Sequence, residues 1–178
     1  MDDKQELFIL QTSFLTTLLL IQINNQGKDF FNMDIFNGIE FTNDKLSDRK
    51  LHEYMKEIGT INQGSLIMIL YCLFVMPKET FFCKYKNEFE KLNSFIDKGV
   101  ESKLSNYKED SKRVDYVRHI RNAISHVSVR YTIDGEKIII SDENTYTDER
   151  CEFSISKDKL SDIMDYTMKN IFMKNLWN

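Results

Sequence analysis

The sequence predicts a mainly α-helical bundle with a small β-hairpin appendage, at about residues 128–156, set before the last helix. Three observations lead there. One proline and six glycines in 178 residues leave few breaks in the chain, and proline and glycine are the residues that interrupt helices. Apolar residues recur at steps of three and four through most of the sequence, the period of a helix with one face on a core. After Val127 the period changes to alternation, the pattern of a half-buried strand.

In order along the chain, a first helix is expected over about residues 3–23, apolar on more than one side and therefore central. Residues 27–43 hold Phe30, Phe31, Phe36 and Phe41 without a period and are expected to form a packed loop. Asn43 or Asp44 can cap a helix that places Leu51, Tyr54, Met55 and Ile58 at i, i+3, i+4 and i+7. The almost wholly apolar run 66–76, stopped by Pro77, is long and rich in Leu and Met, favouring a buried helix over a strand. Thr80 opens a helix with Phe82, Tyr85, Phe89, Leu92 and Ile96 on one side, a bundle pattern. Residues 98–110 form a polar connector, and Asp110 or Ser111 caps the next helix, which ends near Val127. Residues 128–133 and 137–141 alternate around Asp134-Gly135-Glu136, a hairpin turn, and 152–155 adds a third strand. Ser156 starts the final helix, with Leu160, Ile163, Met164, Thr167 and Ile171 on one face.

The length suits one domain spanning residues 1–178 with a sizeable core. Cys72, Cys83 and Cys151 are an odd number without clustered spacing and sit among apolar neighbours, as expected of buried, reduced thiols. The first residues are acidic rather than basic, against a secretory signal. The apolar run 7–23 is broken by Gln11, Thr12, Ser13, Thr16 and Thr17, so no membrane association and a cytoplasmic location are expected. A net charge of −4 argues against a general nucleic-acid coat. Between residues 111 and 130, however, five basic residues against Asp115 give a local balance of +4. An acidic protein with one basic patch points to a confined site.

That patch contains the most informative stretch, Tyr116-Val117-Arg118-His119-Ile120-Arg121-Asn122-Ala123-Ile124-Ser125-His126-Val127. Wound at about 100° per residue, it places Tyr116, Val117, Ile120, Ala123, Ile124 and Val127 on one side. Asp115, Arg118, His119, Arg121, Asn122, Ser125 and His126 fall on the other. A solvated face more usually carries Lys and Glu. Two Arg, two His and one Asn are the side chains that grip phosphate and move protons near neutral pH.

What chemistry fits these residues follows by comparison of requirements. His119 and His126 lie two turns apart, about 10 Å, too far to share one ion, and no metal-ligand spacing, glycine-rich phosphate loop or nucleophile elbow is present. No metal and no cofactor are therefore expected. RNA supplies its own nucleophile, the 2′-hydroxyl, and needs only a proton-moving group and a cation to stabilise the phosphorane. Arg121 and His126 point about 140° apart, at opposite edges of the polar face, so a twofold-related copy of the helix would bring them together more naturally than one subunit alone.

The run Arg121-Asn122-Ala123-Ile124-Ser125-His126 resembles the Arg-polar-x-x-x-His motif of the ribonuclease-type HEPN superfamily. The resemblance implies a HEPN-like helical bundle and a homodimer with a composite, metal-independent endoribonuclease site. By position, Arg121 is then the phosphate-stabilising arginine, Asn122 the polar residue that orients it or the substrate, and His126 the catalytic histidine. Outside the resemblance, Arg118, His119 and Ser125 on the same face read as RNA contacts or as plain helix surface. Many members are toxins or antiphage effectors, which implies an RNA substrate and an antitoxin or sensor partner. One departure concerns members paired with nucleotidyltransferase antitoxins, which carry a modified Tyr two residues after the His. Here that position is Ser128, which puts that control in doubt.

The rival reading is a non-catalytic HEPN-like module that binds RNA or a protein. Plainer alternatives apply to other residues. His52, among Lys50, Glu53 and Lys56, reads as a surface histidine, and the Phe81/Phe82/Tyr85/Phe89 stripe can stack bases but at helical spacing is more often core.

Overall fold

The computed structural model describes residues 3–40, 47–59, 62–77 and 79–176. Helix α1 spans Asp3–Asn25. It buries Leu10, Phe14 and Thr17 and leaves Phe8 (63% exposed), Leu15 and Leu19 in solvent. It is therefore peripheral rather than central, because the bundle packs on one of its two apolar faces. The aromatic segment after it is not loop throughout. It forms a 3-10 turn, Gly27–Asn32, and a short helix α2, Asp34–Asn37, with the Phe30, Phe31 and Phe36 rings packed edge to face or tilted. Helix α3 runs over Asp48–Ile58 with Ser47 at its N-cap. Asn43, Asp44 and Phe41 lie outside the described residues. His52 is not simply a surface residue. Its ring nitrogens approach the Asp48 and Phe36 carbonyl oxygens at 3.0 Å, so it ties α3 to the aromatic cluster.

The apolar run folds as α4, Gln63–Leu70, continued by a π-helical turn, Tyr71–Val75. Asn62 caps α4 by accepting from Gly64 and Ser65 amides, while the Ser65 hydroxyl accepts from the Asn62 amide, a reciprocal capping box. The next helix breaks at Tyr85 into α5, Glu79–Lys84, and α6, Lys86–Asp97. Phe89, Leu92 and Ile96 are buried as the spacing predicts.

The polar connector contains an element the sequence pattern did not show. Val100–Ser105 is a strand, β1, at one edge of a four-stranded antiparallel sheet ordered β1-β4-β3-β2. The others are β2, Val129–Tyr131, β3, Lys137–Glu143, and β4, Arg150–Ser156. The β2–β3 turn carries Gly135 at φ +71, the left-handed conformation glycine tolerates. Alternation puts Ile138, Ile140, Phe153 and Ile155 on the buried face, paired Ile138 with Ile155 and Ile140 with Phe153.

Between β1 and β2 lie a 3-10 turn, Lys108–Ser111, and helix α7, Tyr116–Ser125. Helix α8, Lys157–Thr167, is capped by Ser156 as predicted and continues through a π-helical turn, Met168–Phe172. The core joins these layers: Tyr116 meets Phe153 edge to face at 5.0 Å, and Phe172 stacks on Phe14 and Phe81. Of the cysteines only Cys151 is buried; Cys72 is half-buried and Cys83 exposed, since α5 turns Cys83 away from the bundle. No described helix is long and apolar enough to cross a membrane.

Candidate functional site

Helix α7 begins where Asp115, not Asp110 or Ser111, accepts a hydrogen bond from the Arg118 amide. Tyr116, Val117, Ile120, Ala123 and Ile124 of its apolar side are buried, whereas Val127, expected among them, lies past the helix end and is exposed. Its polar side is not one open surface. It divides into a buried strip under the sheet, a wall of a cavity, and an exposed C-terminal corner.

His119 forms the buried strip, with the half-buried Asn122 beside it. His119 is 0% exposed, so it cannot touch a phosphate, and the expectation that it contacts RNA is corrected. Its Nδ1 lies 2.6 Å from Asp142 and its Nε2 2.8 Å from Asp110. With a carboxylate at each ring nitrogen, both nitrogens donate and the ring is an imidazolium. Burial alone would drive the proton off, but bonding to Asp142, Cys151 and Asp110 outweighs it and raises the pKa to about 10. Burial likewise works to raise Asp142, yet the bonds from His119 and Asn122 hold it below the usual carboxylate range. Asp110 behaves the same way, with Ser105 and His119 as its donors. The Asn122 amide donates to Asp142 at 3.1 Å. Asn122, half-buried, is thus tied to the sheet through that bond.

Asp142 was missed in the sequence, although a signal existed. It continues the inward positions Ile138 and Ile140 of β3, a carboxylate where an apolar residue belongs, and it stands opposite Cys151 in β4. Asp110, His119 and Cys151 are a set that could approach a cation. The ring nitrogens of His119 are already engaged with carboxylates, which favours the ion-pair network.

Arg118 and Arg121 line the cavity. Arg118 pairs with Glu109 and Asp110 and lies over the Tyr107 ring, 5.1 Å from its centroid. Its Nε is buried without a hydrogen-bond partner. The Arg121 guanidinium sits 4.9 Å over Phe82. Both side chains face an open cavity of about 710 Å³ between α5, α6, the 3-10 turn and α7.

Ser125 and His126 make the exposed corner. The Ser125 hydroxyl donates to the Arg121 carbonyl oxygen at 2.8 Å, so its proton is committed to the helix and unavailable to a phosphate. His126 is the C-cap, one residue earlier than the end expected near Val127. The chain then turns in a Schellman motif: the Ser128 amide donates to the Ala123 carbonyl and the Val127 amide to the Ile124 carbonyl. The left-handed position of that motif is held by Val127 at φ 56. Glycine is usual there, and a β-branched residue is strained. The residue fixing the exit of His126 is thus an unusually rigid one.

A family model described as HEPN pEK499 p136 matches residues 3–176. The chain belongs to this HEPN family. The matched range spans both the helices and the sheet. Neither the curated proteins nor the solved structures gave a match. HEPN membership fits a mainly α-helical fold with a small antiparallel sheet, and ribonucleases are found in the superfamily.

Proposed function

We propose that this HEPN protein is a metal-independent endoribonuclease acting as a toxin or antiphage effector, its site completed by a second copy of the chain. The observation that supports this reading is the sorting of the α7 polar face. His119 and Asn122 turn inward to the sheet, whereas Arg121 reaches a cavity and His126 stands exposed at the helix end. Arg121, half-buried on the cavity wall, and His126, exposed at the helix end, are both within reach of a substrate.

In this reading the RNA 2′-hydroxyl attacks the adjacent phosphorus as a base removes its proton. The P–O5′ bond breaks, the departing oxygen takes up a proton, and a 2′,3′-cyclic phosphate and a 5′-hydroxyl result. His126 moves one of these protons. Arg121 stabilises the phosphorane with a forked, permanent charge. Asn122 and His119 act as positioning residues that hold α7 on β3. Arg121 and His126 lie at opposite edges of the polar face, so a twofold axis that faces two α7 ends together joins one subunit's arginine to the other's histidine. A closed symmetric dimer is the commonest soluble assembly.

The test is incubation of RNA with the protein in excess EDTA. Cleavage should persist and leave 2′,3′-cyclic phosphate ends, and DNA, which lacks the 2′-hydroxyl, should stay intact. Strict Mg²⁺ dependence or equal cutting of DNA would sink the mechanism. Tight RNA binding without any cutting would favour a binding module instead.

A further inference from the structure

We infer that the cavity between α5, α6 and α7 is a subsite for an unpaired RNA nucleotide, seated beside the Phe82–Arg121 stack. This inference rests on the nuclease reading and adds to it the form of RNA taken and a specificity-determining residue, Phe82. At about 710 Å³ the cavity lies within the roughly 300–1,000 Å³ of small-ligand sites. Phe89 and Val117 give it an apolar floor. Phe82 packs one way on Phe89, ring centroids 4.3 Å apart, and another way under the Arg121 guanidinium. The ring is half-buried, as is Tyr85, whereas Phe81 and Phe89 of the same stripe are buried.

The charges of the wall sort in a way that suits a phosphate at one end. Lining carboxylates and cations are equal in number, but most of the carboxylates are already engaged. Asp115 caps the α7 N-terminus, Asp110 faces the His119 imidazolium and Glu109 pairs with Arg118. Arg113, by contrast, bonds only neutral groups in these contacts, the Glu90 carbonyl and the Ser94 hydroxyl, so its charge can meet a phosphate, while Lys86 pairs with Glu90 at 3.9 Å. A flat ring and guanidinium beside cations are what single-stranded nucleic acid recognises through stacking and backbone charge. A duplex cannot present a base to such a recess without unpairing it.

Cys83 gives a probe that needs no mutation in the cavity. It is exposed and lines the same recess, while Cys72 is half-buried elsewhere. In the His126→Ala protein, which should bind without cutting, a short single-stranded RNA at saturation should slow alkylation of Cys83 several-fold and leave Cys72 unchanged. A duplex of equal length should protect poorly. In parallel, Phe82→Leu keeps apolar bulk but removes the ring, and should weaken single-strand affinity about 5- to 100-fold, the range of one lost stacking contact. Phe82→Trp should retain it. Bound RNA that leaves Cys83 reactive, or Phe82→Leu that binds as tightly as the parent, overturns the subsite while the nuclease reading stands. A wild-type chain that neither binds nor cuts any RNA overturns both.

Discussion

Replacing Asp142 by Asn tests whether the network under α7 holds a charge. The His119 pKa stands near 10 against an ordinary 6.5. That difference, at about 1.4 kcal/mol per unit, corresponds to roughly 5 kcal/mol of folding free energy shared among its partners. The folded value is raised, so this stability is fully present below the unfolded pKa and is lost as pH rises through the folded one. By linkage about 4–5 kcal/mol remains at pH 6 and only about 1–2 kcal/mol at pH 9. Asp142 and Asp110 are shifted the other way. Their contribution is present above the ordinary carboxylate value and lost as pH falls. The wild-type protein should therefore be most stable from about pH 4 to 6.5.

Asp142→Asn keeps the shape and an acceptor oxygen but removes the charge nearest His119 Nδ1. Breaking a buried pair from one side costs about 3–5 kcal/mol; the retained hydrogen bond puts the expectation at the low end, about 3 kcal/mol at pH 6. Urea unfolding followed by circular dichroism at about pH 6 and pH 9 measures it. The deficit of the variant should shrink by more than half at the higher pH, where the wild type has lost most of the same stabilisation. A deficit equal at both pH values would show that His119 is held as a neutral ring and would refute the reasoning.

Three other outcomes are expected. His126→Ala should lower RNA cleavage by about 10²–10⁴-fold with binding largely kept, and Arg121→Lys should recover little over Arg121→Ala because the fork is lost; single-turnover cleavage and a filter-binding assay separate the two, and wild-type cutting by His126→Ala would remove the proposed site. Mixing inactive Arg121→Ala and His126→Ala subunits should restore measurable cleavage if the site is shared across a dimer, whereas a mixture that stays inert assigns both roles to one chain. Val127→Gly should relieve about 1–2 kcal/mol of left-handed strain at an entropic cost of about 0.5–1 kcal/mol, so thermal unfolding should shift upward or hold; since the Val127 side chain is 69% exposed, a marked destabilisation would mean that it packs against a second copy.

The bundle was legible because its helices bury one face at a helical period: the run Phe89, Leu92 and Ile96 is core as written, and Ser156 caps α8 where the period restarts. The strands β2 to β4 were legible through alternation. β1 was not, because an edge strand such as Val-Glu-Ser-Lys-Leu-Ser keeps most of its side chains in solvent and so carries no pattern of burial. The exposed apolar side of α1 defeated the expectation of a central helix for the opposite reason. A sequence shows that Phe8, Leu15 and Leu19 are apolar, not whether anything in the chain covers them. In the candidate site, residue types singled out α7, but type alone cannot say which polar residues meet solvent. That depends on Asp142 and Asp110, which lie 23 and 9 residues from His119.

This dependence changes what the β appendage is for. On the proposed nuclease reading, a helix that presents Arg121 and His126 to RNA must resist rolling about its own axis, because both residues lie at the edges of one arc. Apolar packing resists rolling poorly, since a neighbouring turn offers a similar surface. Directional bonds resist it well. On α7 they come from two sides: the Asn93 side chain accepts from the Val117 amide at the helix start, and Asp142 on β3 takes bonds from His119 and Asn122 one turn apart. The strained Val127 then fixes the exit. The sheet thus adds a second set of directional bonds to the one from α6, and Asn122 takes part in it.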